Sequence, residues 1–121
     1  MGTRAVYTFI DKAARHSVYK HWDGHPHWGC QFIAKALLLA WPLPRFEAGE
    51  FAAAFVAANK KGAGDICLTS GPDAHGDLAY RYEIHCQDDH LHVRIYEHPG
   101  EDRLFFDGSL EAAQHFAAMF N

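Results

Sequence analysis

At 121 residues, 49 % apolar and 14 % aromatic, the chain has material for one hydrophobic core and none for a second of useful size. Its 21 % of charged residues and net charge of −4 exclude intrinsic disorder, and its Lys and Arg are scattered, which disfavours a nucleic-acid binder relying on phosphate contacts. Cys30, Cys67 and Cys86 form no C-x-x-C pair, which excludes a zinc ribbon or thioredoxin motif and is read as reduced thiols in a cytoplasmic protein.

The first residues carry no apolar leader, and Val6 stands where a myristoylation signal has Ser or Thr. The longest apolar run, residues 36–41, is too short for a bilayer, so the expectation is a soluble protein with no membrane partner. Residues 4–10 and 16–22 are rich in β-branched and aromatic side chains and are joined by a polar stretch, which predicts a hairpin. Two glycines and a proline in residues 22–29 predict irregular backbone. Over residues 30–41 a helical stripe of Ile33, Ala36, Leu37 and Ala40 follows, stopped by Pro42 and Pro44. A second helix is predicted over about 47–60, with Phe51, Ala54, Phe55 and Ala58 on one face and Lys60, Lys61 and Gly62 as its stop. Residues 65–69 read as a short buried strand and 70–77 as a loop.

From Leu78 to Cys86, and again from Leu91 to Tyr96, apolar and polar residues alternate with period two. A two-residue turn at Asp88-Asp89 sets Ile84 opposite Val93 and Tyr82 opposite Ile95 on one face. On the other face it sets Glu83 opposite Arg94 and His85 opposite His92. A type II turn at Pro99-Gly100 then places Ile95 opposite Leu104 and Val93 opposite Phe106. Ser109 is the predicted cap of a last helix with Leu110, Ala113, Phe116, Ala117 and Phe120 on its buried stripe. The order ββ-αα-(β)-βββ-α predicts a single α+β domain, residues 1–121. Hairpins dominate, so its sheet is expected to be antiparallel, an N-terminal hairpin plus a C-terminal three-strand meander, with about three helices on one face.

Polar residues that a core would not request gather in two loops, residues 22–28 and 73–77. The candidate ligand-binding residues are Arg4, Lys20, His21, Asp23, His25, His75, Asp77 and Tyr80, with Tyr19, Trp22, Trp28 and Tyr82 as flanking aromatics. The ligand class they imply is a small molecule or a protein. One alternative is a metal-dependent hydrolase using Asp23, His75 and Asp77, with His21 beside them. Another is an inhibitor or regulator that binds a host protein. His25-x-His27 and His90-x-His92 lack the partner spacing of a zinc site and read as surface histidines. Cys30 at the start of an apolar helix is where a dipole would favour a thiolate, but it reads as a packed thiol. No nucleophile elbow and no Walker spacing occur. Binding is therefore favoured over catalysis, with no catalytic residue, metal or cofactor assigned and the oligomeric state left open.

Three segments also form a set: Gly2-Thr3-Arg4, Tyr19-x-His21-Trp22-Asp23-Gly24-x-Pro26 and His75-Gly76-Asp77-x-x-Tyr80-x-Tyr82-Glu83. Together they resemble an uncharacterised group of small bacterial and phage proteins with an N-terminal Gly-Thr-Arg and an aromatic-Asp-Gly-Tyr-Pro box. The resemblance spans roughly half the chain and implies an order of motifs and a phage or mobile-element origin, not an activity. His25 stands where that group has tyrosine, so no role needing a hydroxyl carries over to this position.

Overall fold

The computed structural model describes residues 2–97 and 103–119. Within them the chain runs β1 (Ala5–Ile10), β2 (Arg15–Lys20), α1 (Pro26–Leu37), α2 (Ala48–Asn59), β3 (Ile66–Thr69), a 3-10 turn (Pro72–Ala74), β4 (Tyr80–Gln87), β5 (His90–Glu97), β6 (Arg103–Ser109) and α3 (Leu110–Ala118). The six strands form one sheet in the order β3-β2-β1-β4-β5-β6. The α+β class and the element order agree with the sequence reading, but the sheet is mixed: β1 and β4 are parallel, with Tyr7 beside Tyr82 and Phe9 beside Ile84.

The parallel pair arises from how the chain returns. β3 adds to the outer side of β2, so the chain must recross β2 and β1 to reach the free side of β1. Residues 70–79 span those three strand spacings, about 14 Å, across the face away from the helices. Leu78 is buried there against Val6 and Tyr19 as a small second core. That route delivers the chain to the end of the sheet where β1 begins, so β4 runs beside β1 in the same direction.

The main core lies between the other face of the sheet and the three helices, with α1 between α2 and α3. Tyr7 stacks on Tyr82 with ring centroids 4.5 Å apart and meets Phe55 at 4.6 Å, while Phe9 packs on Phe51 and Phe55. Helix α1 settles on the tyrosine pair through Gly29, where a Cβ would stand 2.5 Å from the Tyr82 hydroxyl. This glycine marks a close approach inside a helix, not the irregular backbone expected before residue 30. The helix starts at Pro26, which fills its first position with φ already set, and the extended His25 precedes it. Because Cys30 sits a full turn inside the helix, it does not meet the free N–H groups, and burial pushes its thiol up to about 12.

Helix α2 gets its capping oxygen from elsewhere in the fold. Asp11, in the β1–β2 turn, accepts from Ala48 N through Oδ2 and from Ala13 N and Ala14 N through Oδ1, all at 2.7 Å. The Ala48 bond, followed by those from Ala13 and Ala14, holds this carboxyl below its usual range. Ser109 caps α3 as expected, accepting from Ala112 N at 3.1 Å.

The β4–β5 register is the one the alternation specifies, with Ile84 opposite Val93 and His85 opposite His92. The β5–β6 register is not: Ile95 faces Phe106, Tyr96 faces Leu104 and Val93 faces Gly108. An irregularity between Ile95 and Tyr96 inserts Phe105 as an extra residue, so Phe105 and Phe106 both reach Phe116 of α3. Leu104, expected in the core, is 50 % exposed. The expected Pro99-Gly100 turn and Phe120 lie outside the described residues. All three cysteines are unpaired, and among the described residues no helix is long and apolar enough to cross a membrane.

Candidate functional site

The beginnings of β1 and β4 and the end of β2 lie at the same end of the sheet. The three segments of the motif set meet there. Gly24 N donates to Thr3 O at 2.8 Å, and the Tyr82 hydroxyl donates to Gly24 O at 2.6 Å. Two backbones approach so closely that a Cβ on Gly24 would stand 2.7 Å from the Ala5 Cβ, and one on Gly2 would stand 2.5 Å from the Trp22 ring. Glycine is needed at both places for space, while the neighbouring Asp23 takes the left-handed conformation itself, at φ 59°.

Arg4 is the hub of the polar side chains. Its Nε lies 3.0 Å from Asp77 Oδ2 without hydrogen-bond geometry, and its Nη2 donates to His21 Nε2 at 3.3 Å. A guanidinium can only donate, so His21 accepts here through an unprotonated Nε2. The Tyr19 hydroxyl donates to the same Asp77 oxygen at 2.8 Å. Burial, together with this bond to Asp77 and its negative charge, raises the phenol above its ordinary pKa. The His75 ring stacks on Tyr19 with centroids 4.1 Å apart, and its Nε2 lies 2.7 Å from Thr69 Oγ1. Residues 75–77 are thus clasped to the sheet. Asp77 remains half-exposed, so its pair with Arg4 adds little to stability.

Of the eight candidate residues, Arg4, His21, His75 and Asp77 come together around Tyr19. The others are placed differently. Lys20 points to the helix side and is buried in an ion pair with Asp65, Nζ to Oδ1 2.6 Å, each side chain 4 % exposed. His25 packs edge-on against Tyr80 at 5.5 Å, and burial, then the charge of Glu97, raises the Tyr80 pKa. Asp23 is exposed and shares with Trp22, Lys61 and Gly62 a cleft of about 350 Å³ whose floor includes the Lys20–Asp65 pair. The grouping needed by a metal-dependent hydrolase is therefore not formed: among the described residues no three of His, Cys, Asp and Glu are gathered to hold a metal. Asp23 lies on the cleft beside Lys61, whereas His75 and Asp77 are turned onto Tyr19.

Of the two residues that organise the second loop, Tyr19 was expected as a flanking aromatic and Thr69 carried no role in the candidate set. Tyr19 alternates with Val18 and so belongs to the face away from the helices, a signal that period-two patterning contains. Thr69 carries no such signal. Comparison of the chain with protein-family models, with curated proteins and with solved structures yields no match.

Proposed function

We propose that the protein acts by binding a partner protein at the end of the sheet where residues 2–4, 21–28 and 75–80 converge. The observation that carries this reading is the pairing of an ordered polar cluster with two exposed tryptophans. Trp22 is 44 % exposed and Trp28 46 % exposed, both in the loop and first helical turn that Gly24 ties down. Tryptophan is the residue type most enriched among the anchors of protein interfaces, and a surface already held in place loses less entropy on docking. The cleft between Trp22, Asp23 and Lys61 is at the small end for a free ligand, roughly 300–1,000 Å³, and suits one side chain of a partner. With the phage or mobile-element origin that the resemblance to small bacterial and phage proteins implies, that partner is a host protein, inhibited or regulated by the contact.

A photo-crosslinking residue placed at His27, between the two tryptophans, tests the site in cells that make the protein. The expected result is one defined protein adduct, lost when Trp22 and Trp28 are both changed to Ala. The same residue at Ala57, on the exposed side of α2, serves as the control. Equal adducts from both positions, or none from position 27, would remove this end of the sheet as the docking surface.

A further inference from the structure

The opposite end of the parallel pair has its own geometry. From β1 the chain turns back into β2, and from β4 it turns the other way into β5. Because the two turns diverge, a crevice opens beyond the carboxyl ends of β1 and β4. Here the crevice measures about 570 Å³, within the size range of small-molecule sites, and is walled by Ile10, Ala13, Pro44 and Phe46.

Its polar groups divide into spent and unspent. Asp11 lies in the wall as an ionised carboxylate that accepts from the three backbone N–H groups described above, whose dipoles offset part of its charge. Cys86 donates its thiol to Pro44 O at 3.8 Å, and burial, then the charge of Asp89, keeps that thiol protonated. His85 lies 3.3 Å from Gln87 Oε1 through Nε2 and packs on His92 at 5.0 Å. Lys12 is exposed at the rim and makes no ion pair or hydrogen bond among the described residues. Apolar walls with an unpaired cation at one side, and Asp88 and Asp89 near Cys86 at the other, define an oriented site.

We propose that this crevice binds a small amphipathic carboxylate, its apolar body against Phe46, Pro44 and Ile10 and its carboxylate on the Lys12 ammonium. The head group lies on the Lys12 side because the acidic β4–β5 turn repels it from the Cys86 side. This site is separate from the docking surface proposed above and does not depend on it.

The probe is 2-naphthoate, with the neutral 2-naphthamide as its matched control. Ligand binding is read by peptide-resolved alkylation of the native protein, which reports Cys86 in the crevice and the exposed Cys67 on β3 as an internal reference. The acid should slow alkylation of Cys86, leave Cys67 unchanged and bind at least tenfold more tightly than the amide. Lys12→Glu should remove that preference, and Ala13→Trp should abolish binding of both compounds. Lys12 and Ala13 are exposed, so urea unfolding should find both variants folded. Equal affinity for acid and amide would overturn the assignment of the ligand class. Slowing of Cys86 that survives Ala13→Trp, or no slowing at millimolar naphthoate, would overturn the site.

Discussion

Changing Lys20 to Met removes one half of an ion pair whose partners are almost fully buried. Asp65 would keep the bond from Lys61 N at 2.9 Å and lose the buried Lys20 cation, while Lys20 also leaves the face of Phe32, 4.7 Å away. An uncompensated buried charge of this kind costs about 3–5 kcal/mol. For a chain of this size that lowers the melting temperature by roughly 10–20 °C. Burial alone would raise the Asp65 pKa, but the bonds from Lys20 and Lys61 and the charges of Lys20 and Lys60 outweigh it and hold the carboxyl low. A depressed carboxylate contributes stability above its unfolded pKa, near 4, and that contribution fades as pH falls through the lower folded value. Without Lys20 the carboxyl rises instead, so the loss should be greatest near neutrality and shrink towards pH 4. Urea unfolding followed by tryptophan fluorescence, with Lys20→Met, Asp65→Asn and the double variant in one cycle, measures the coupling. The double variant should recover most of the loss. A single variant within about 1 kcal/mol of the parent at neutral pH, or a double variant no better than the single, would refute the buried pair.

Gly29→Ala sets helix propensity, which favours Ala by roughly 1 kcal/mol, against a Cβ pressed to 2.6 Å from the Tyr82 Cζ and 2.9 Å from the Tyr7 hydroxyl. Overpacking of that kind costs about 1–3 kcal/mol, so the variant should be less stable in urea, and equal or greater stability would show that α1 does not rest on the tyrosine pair. Asp107 is held below the usual carboxylate range by its bond from His92, with the charges of His92 and Arg94 adding to the effect. Its contribution is present above about pH 4 and lost as pH falls through the folded value, so Asp107→Asn should flatten the acid limb of a stability–pH profile. An unchanged limb would show that His92 and Asp107 are apart in solution.

Local chemistry was legible in the chain alone. The β4–β5 register follows from strict alternation around a two-residue turn, because a slip by one residue would oppose apolar to polar throughout. The buried faces of α2 and α3 and the Ser109 cap rest on spacings of three and four residues, which need no knowledge of the rest of the fold. The β5–β6 register was not legible, since a bulge changes the count on one strand only and leaves each strand's own pattern readable. Nor was the Asp11 cap on α2, whose partners are 37 residues apart in sequence.

Strand order decided the rest. Arg4, His21, His75 and Asp77 meet because β4 lies beside β1, not at the end of a chain of hairpins, and nothing in the residues themselves states which edge of the first hairpin a returning strand will join. The same placement separates Lys20 from Tyr19, its neighbour in sequence, since adjacent strand residues face opposite sides and only one of those sides carries the helices. It also makes the carboxyl ends of β1 and β4 neighbours, with their turns diverging, and so opens a crevice between two segments that no sequence motif connects. Short-range periodicity thus determined which elements form and which faces they bury. Which side chains share a site depended on strand adjacency, a long-range contact whose energy comes from the assembled core and is written in no single stretch of the chain.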